Sequence, residues 1–456
     1  MLETAVARGR SVACLAPGPA TQWFVTSSPP PMNANTTSAS ASVELPSVGT
    51  VGADGMLCLA ATVMRGGTSK GIFLLQSSLP PAARADPALR DRLLLRLIGS
   101  PDPYGAQIDG LGGGTSSTSK VVLVARSARP GHDVDYLFGA VAIGQPLIDW
   151  SGNCGNLSAA VGPFAIAQGL VPAPRDGLAT VRLWQANIGK TIVAHVPMQR
   201  GAVCEAGDFM LDGVAFASAA IELEFLDPGG GEAGEGGVPG PLLPTGRAVD
   251  VLVAPDGARV EATLINAGNP TVFVDAQAIG LTGLEMQHEV NVNPALLDRL
   301  EALRAQAAVV MGLARSAGEA TRDRPATPKL CFVAPPADYR AADGRRVSAA
   351  DIDLLARILS MGRLHHAMTG TGGVAIAAAA SIPGTLVQRL LPAAPPDGRV
   401  RFGHPSGSLS VAARASRSDD GRWRIDKVSM TRSARRLMQG SVFVPWAEVR
   451  GTPGGA

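Results

Sequence analysis

From residue 57 onward the apolar positions come in short runs, not in long helical stripes. "CLAATVMRG", "GIFLLQ", "KVVLVARS", "VDYLFGAVAI", "ATVRLWQANIG" and "TIVAHVPM" alternate or are β-branched. Gly, Pro and Asp bound them, so each predicts a strand. "DPALRDRLLLRLIGS" spaces its leucines for one helix face and sets arginines on the other, which predicts an amphipathic helix. "GNLSAAVGPFAIAQGL", residues 155–170, is apolar almost all round and predicts a buried helix.

The second half repeats the scheme. "VDVLVA", "VEATLINAG" and "TVFVDA" predict strands, followed by helical "NPALLDRLEALRAQAAVVMG" and the strand "LCFVAPP". "DIDLLARILSMG" predicts a helix leading into a second small-residue helix, "GGVAIAAAASIPG". "RVRFGHPSG", "SLSVAARAS", "WRIDKVSM" and "GSVFVP" predict closing strands. The expected architecture is α+β: two pseudo-symmetric β-rich half-barrels, each wrapped around a central apolar helix. Residues 57–200 plus 428–450 form the expected first domain and 201–427 the second. The Ser/Pro/Thr/Ala-rich stretch 1–56 reads as a disordered N-terminal extension, and the glycine-rich 225–246 as a loop or linker. Arg8 and Arg10 before an apolar stretch hint at a signal peptide, but Pro17 and Pro19 interrupt it.

Composition narrows the class. The 456 residues are 46% hydrophobic but only 4% aromatic, so Ala, Val, Ile and Leu must fill the core. A net charge of +2 supplies no basic field, and nucleic acid is not an expected partner. No apolar run reaches the roughly 18–20 residues of a membrane-spanning helix. Cys14, Cys58, Cys154, Cys204 and Cys331 are scattered, without disulfide, zinc or iron–sulfur spacing. A cytoplasmic home and no metal are the simplest reading.

The basic residues carry a sharper signal. Lysine occurs five times, at Lys70, Lys120, Lys190, Lys329 and Lys427, among 40 basic residues. Two of the five end the same tripeptide behind glycines, in "GGTSK" (Thr68-Ser69-Lys70) and "GGGTSSTSK" (Thr118-Ser119-Lys120). Arginine cannot usefully deprotonate, whereas a lysine in a cleft can be tuned into a base. Neither stretch has the spacing of a phosphate-binding Walker loop. Capping a turn or pairing with a carboxylate is the plainer role for Lys70 and Lys120.

Two turns open the two small-residue helices. Asn153-Cys154-Gly155-Asn156 precedes the first, where free backbone N–H groups and the positive end of the helix dipole favour an anion. Thr369-Gly370-Thr371-Gly372 opens the second. Facing one another across a cleft, two such mouths would hold a di- or tricarboxylate. His365 and His366 read as packing or surface residues.

These turns resemble the diaminopimelate-epimerase fold family, in which two cysteine-bearing turns oppose one another as acid and base. Here Cys154-Gly155-Asn156 matches one turn, and Thr369 stands where the second cysteine belongs. "NAGNPTVFV" is similar to that family's "GNPH" segment, with Asn269 retained and Thr271 for the histidine. Threonine accepts no proton near pH 7, so a two-thiol racemase is disfavoured. Longer stretches, "MRGGTSKGIF", "IGSPDPYGAQIDGLGGGTSSTSK", "DWSGNCGNLSAAVGPFAI", "INAGNPTVFV", "SMGRLHHAMTGTGGVAIA" and "RFGHPSGSL", resemble the PrpF family across about residues 57–447. That resemblance implies cofactor-independent cis–trans isomerisation of 2-methylaconitate in propionate catabolism. 4-Oxalomesaconate tautomerase and methylitaconate Δ-isomerase chemistry are the neighbouring readings, and a non-catalytic accessory of an aconitase-like dehydratase is a third.

The resemblance also implies roles. Lys120 is the expected base and Cys154 an auxiliary acid or positioning group. Arg65, Ser69, Lys70, Asn153, Gly155, Asn156, Asn269, Thr369, Gly370, Thr371 and Gly372 are the expected substrate-binding residues. The implied partner is a small unsaturated polycarboxylate, with a homodimer and a functional link to an aconitase-like dehydratase as further expectations.

Overall fold

A computed structural model describes residues 49–230, 240–391 and 398–451. Most of the expected N-terminal extension (1–48) and part of the expected linker (231–239) lie outside the described residues.

The chain builds the same ladder twice. In the first half Met56–Gly66 forms an antiparallel hairpin with Ser69–Leu75, which runs parallel to Lys120–Arg126. That strand is antiparallel to Val134–Val141, which is parallel to Gly177–Gln185, which turns back as Lys190–Gln199. In the second half Arg259–Ala267 pairs antiparallel with Asn269–Asp275, which runs parallel to Lys329–Ala334. That strand is antiparallel to Leu354–Ser360, which is parallel to Arg399–His404, which turns back as Gly407–Arg417. The order of parallel and antiparallel steps is identical. Lys120 and Lys329 therefore stand at equivalent places, each the first residue of its half's third strand.

Each half encloses one helix, Ser158–Ala167 in the first and Gly370–Ala380 in the second. Small side chains let a sheet close tightly over both. A Cβ on Gly162 would stand 2.9 Å from Val196 Cγ2. All eleven residues of the second helix are buried, as its alanine-rich, all-round apolar sequence requires. One hydrophobic cluster runs through both helices, from Ala159 and Phe164 to Val374 and Ala378. Two further clusters cover the outer faces, one including the amphipathic Pro87–Ile98 helix and one the Pro294–Val310 helix.

Two elements differ from expectation. "DIDLLARILSMG" is not a helix: after a short 3-10 turn, Leu354–Ser360 is a strand whose seven residues are all buried. It lies between two partner strands and is covered on both faces, and a short run that is apolar all along does not by itself distinguish helix from strand. Ile221–Leu226, whose end falls in the expected linker, is a strand with alternating burial. It pairs with Lys190–Gln199 on one side and Trp423–Arg432 on the other, welding the two halves into one sheet.

Candidate active site

The two helix mouths meet at their glycines. A Cβ on Gly155 would fall 2.8 Å from the carbonyl carbon of Gly370 and from the nitrogen of Thr371. A Cβ on Gly370 would fall 2.4 Å from the carbonyl carbon of Gly155. The turns thus touch backbone to backbone, where the sequence suggested mouths separated by a cleft. No described group accepts from the N–H groups of Gly155, Asn156, Gly370 or Thr371. Gly372 does have a partner: its N–H is donated to Thr369 Oγ1 at 3.0 Å, the cap of the second helix.

A small chamber opens beside this junction. It is lined by Ser69, Lys120, Phe138, Ala140, residues 152–156, Asn269, Ala326, Lys329, Ser360, His365 and residues 369–371. Among the described residues no carboxylate lines it, while two lysines do. Its volume is about 20 Å3, room for one water. His365 also lines a wide neighbouring cleft of about 870 Å3.

The lining is held by a second layer of hydrogen bonds. Asn269 Nδ2 donates to the Asn153 carbonyl at 2.9 Å, and the Asn153 N–H donates to Asn269 Oδ1 at 2.8 Å. Tyr136 OH donates to Asn153 Oδ1 at 3.1 Å, and burial pushes that phenol well above its ordinary range. Asn153 Oδ1 is thereby used, and its buried Nδ2 is left without a partner. Thr371 Oγ1 is likewise buried and unpartnered. Buried polar atoms are nearly always satisfied, so two orphans at one chamber mark a place built for a polar ligand.

Asn156 is the hub behind the junction. Its Nδ2 donates to Thr68 Oγ1 and to the Met368 carbonyl, and its Oδ1 accepts from Arg432 Nε at 3.2 Å. Arg432 is buried without a carboxylate partner among the described residues, and burial pushes its guanidinium down to about 10 against the opposing influence of Cys154. Gly66 and Gly67 let the hairpin turn close on this hub, since a Cβ on Gly67 would stand 2.6 Å from Asn156 Oδ1. Ser69 then faces Cys154, with its Oγ 3.9 Å from Sγ. The Cys154 sulfur accepts the Leu157 N–H at 3.5 Å.

Most of the residues singled out in the sequence come together: Lys120, Cys154, Ser69, Asn153, Gly155, Asn156, Asn269, Thr369, Gly370 and Thr371. Arg65, Lys70 and Gly372 lie outside the lining. Arg65 donates to the carbonyls of Gly67 and Ser433 and to the hydroxyls of Ser433 and Ser218, tying the hairpin turn to the loop after Arg432. Lys70 follows Ser69 along the same strand, and successive strand residues face opposite ways. The two "TSK" tripeptides thus do different jobs, the first presenting its serine and the second its lysine.

The sequence reading missed polar residues of the site, Lys329, Ser360 and His365 in the lining and Arg432 behind it. Lys329 lines the chamber, and its Nζ donates to the Ala326 carbonyl at 3.2 Å and to Ser360 Oγ at 3.3 Å. Burial, and then the neighbouring Lys120, push it down to about 8. Its signal was available: it is one of five lysines and opens a strand, as Lys120 does. His365 is buried, and desolvation, His366 and the two lysines hold it well below the usual imidazole range. Its Nδ1 accepts the Ala367 N–H at 3.0 Å, which places the proton on Nε2 of a neutral ring. Arg432, placed only by tertiary contacts, left no sequence signal.

Lys120 itself is 6% exposed, with Nζ 5.1 Å from the centroid of the Phe138 ring and no acceptor among the described residues. Burial lowers its proton affinity, and Cys154 works the other way. A lysine that is buried, unpaired and lowered in this way is suited to lose its proton reversibly. Its lysines and free N–H groups suit an anion and a proton transfer, but the enclosed space takes one water, so a polycarboxylate must reach in from the wide cleft that shares His365.

A repeated α+β ladder around two small-residue helices, with its site where their N-termini meet, defines the diaminopimelate-epimerase-like fold class. Within it, the chain belongs to the family described as "PrpF protein", which matches residues 56–445. It is 55% identical over 390 residues to the 2-methyl-aconitate isomerase of Shewanella oneidensis, covering 85% of this chain and 97% of that one. Identity and coverage are the same for the 2-methyl-aconitate isomerase of Cupriavidus necator. The 3-methylitaconate isomerase of Eubacterium barkeri is 38% identical over 392 residues, with 86% and 98% covered. A crystal structure of methylitaconate-delta-isomerase superposes with a TM-score of 0.68 at 38% identity, covering 88% of this chain and 99% of that one.

Proposed function

We propose that this protein is a cytoplasmic, cofactor-independent isomerase that interconverts the cis and trans forms of 2-methylaconitate in propionate catabolism. The observation that carries the reading is the chamber: two buried lysines, no carboxylate, and two helix mouths with unused N–H groups. The names of the two 55% identical relatives supply the substrate. Lys120, as the neutral amine, takes an allylic proton, and the electron pair spreads through the double bond into a carboxylate. Rotation about what is then a single bond precedes return of the proton from the Lys120 ammonium. One base suffices because no stereocentre is inverted. Helix-mouth N–H groups and the amide of Asn153 hold the carboxylates and stabilise the dienolate as its charge grows. Cys154 positions the substrate or serves as auxiliary acid.

The 38% identity to a 3-methylitaconate isomerase supports a second reading, a shift of the double bond in a related polycarboxylate. Proton NMR in D2O on purified protein separates them. Interconversion of cis- and trans-2-methylaconitate is expected. Inertness toward both isomers, with turnover of methylitaconate or 4-oxalomesaconate, would replace the first reading by the second.

A further inference from the structure

The mechanism above leaves a buried lysine unused. Lys329 is 6% exposed, has no carboxylate within salt-bridge reach among the described residues, and lines the same chamber as Lys120. Burying an unpaired cation is costly, and such a group persists when a ligand of opposite charge completes it. Its surroundings differ from those of Lys120 in the acceptors they offer. Continuing the register that pairs Cys331 with Ile358 brings Ser360 opposite Lys329, and the serine hydroxyl accepts its Nζ–H. The equivalent residue opposite Lys120 is Ala140, which accepts nothing. With Ala326 O and Ser360 Oγ taking two N–H bonds, the Lys329 ammonium has one N–H left, fixed in direction; Lys120 has none fixed.

We propose that Lys329 is a catalytic residue that touches the substrate, donating its remaining N–H to the carboxylate conjugated with the carbon that Lys120 deprotonates. This rests on the isomerase reading and deepens it. As the C–H bond breaks and the proton passes to Lys120, the electron pair moves onto that carboxylate. The Lys329 ammonium lies against the oxygen where negative charge develops, already aimed and dry, which is where a donor lowers a barrier most. The division of labour follows from anchoring: a tethered cation binds charge, and an untethered amine follows a moving proton.

The test uses Lys329→Met, Lys329→Arg and Ser360→Ala in the full-length protein. Two readouts are taken: turnover of 2-methylaconitate by NMR, and calorimetric binding of tricarballylate, a saturated tricarboxylate with no allylic proton. Lys329→Met should lower kcat by about 10²–10³, the usual loss for one such donor, and should weaken tricarballylate binding. It should melt no lower than the wild type at pH 7, since an uncompensated buried charge is removed, so loss of turnover is not loss of fold. Lys329→Arg should recover part of the tricarballylate affinity and keep its activity above about pH 8, where the wild type is expected to decline as Lys329 loses its proton. Ser360→Ala should lower kcat with little change in KM, because the charge stays and only its aim loosens. Lys329→Met turnover within threefold of the wild type would overturn the proposal and leave the isomerase reading intact. A wild type inert toward 2-methylaconitate, with tricarballylate binding still weakened by Lys329→Met, would overturn the substrate assignment and keep the carboxylate contact. Unchanged tricarballylate binding in Lys329→Met would overturn the contact itself.

Discussion

The two halves of this molecule are the same ladder folded twice, and the chemistry lies in where they differ. Each half sends a lysine from the start of its third strand and a turn from the start of its central helix into one chamber. In the first half the lysine faces Ala140 and the turn carries Cys154. In the second the lysine is tethered to Ser360, and Thr369 spends its hydroxyl capping its own helix. Duplication supplies two equivalent cations; one neighbour on each adjacent strand sets whether the cation is fixed or free. A site that looks symmetric in backbone is polarised in side chains, as the proposed division into one base and one charge clamp requires.

The comparison breaks most severely at the free lysine. Lys120→Ala should lower turnover by about 10²–10⁴, the usual worth of a positioned base. NMR in D2O measures this directly, and near-normal turnover would remove Lys120 from the base role. The next largest effect is expected where the halves touch. Gly155→Ala puts a methyl 2.8 Å from the Gly370–Thr371 backbone, forcing the helix mouths apart. Overpacking of this kind costs about 1–3 kcal/mol, and a shift of about 1 Å at the chamber can cost 10²-fold in rate. Denaturant melts and kcat/KM on one preparation check both, and an unaffected enzyme would mean that the mouths have room to part.

Ala140→Ser sharpens the contrast by giving the first half the hydroxyl of the second. A new acceptor for Lys120 is worth about 1 kcal/mol, so kcat should fall by roughly fivefold with little change in KM. A faster enzyme would show that the free lysine is limited by its own mobility. A separate effect is expected on stability with pH. His365 and His404 are buried as neutral rings, the latter pushed down to about 3 chiefly by burial. The unfolded chain takes up these protons below about 6.5, while the folded chain does not. Stability should therefore fall as pH drops from about 6.5 toward 3, with proton uptake on unfolding. Urea midpoints across that range, repeated with His404→Gln, measure the share of one ring.

Much of this was legible along the chain. Short bounded runs marked most strands, and two alanine- and glycine-rich segments marked the central helices, because a sheet can close tightly only over small side chains. The scarcity of lysine among arginines pointed to Lys120, and the Gly/Asn and Gly/Thr turns pointed to the helix mouths. Leu354–Ser360 was misread because a strand covered on both faces loses the period that identifies it. Arg65 and Lys70, expected at the substrate from the resemblance, lie outside the chamber lining; Lys70 follows Ser69 on a strand, which turns adjacent side chains to opposite faces.

The sequence by itself determined the fold class, the duplication, the family and the chemical character of the site, all of which are written in local pattern and residue type. Tertiary structure alone decided that the two mouths abut at Gly155 and Gly370, that Arg432 stands behind Asn156, and that Lys329 is anchored while Lys120 is not. Those facts depend on which residue of one strand falls opposite which residue of the next. Such contacts are fixed by packing between segments from 31 to 276 residues apart, and no short window of sequence contains them.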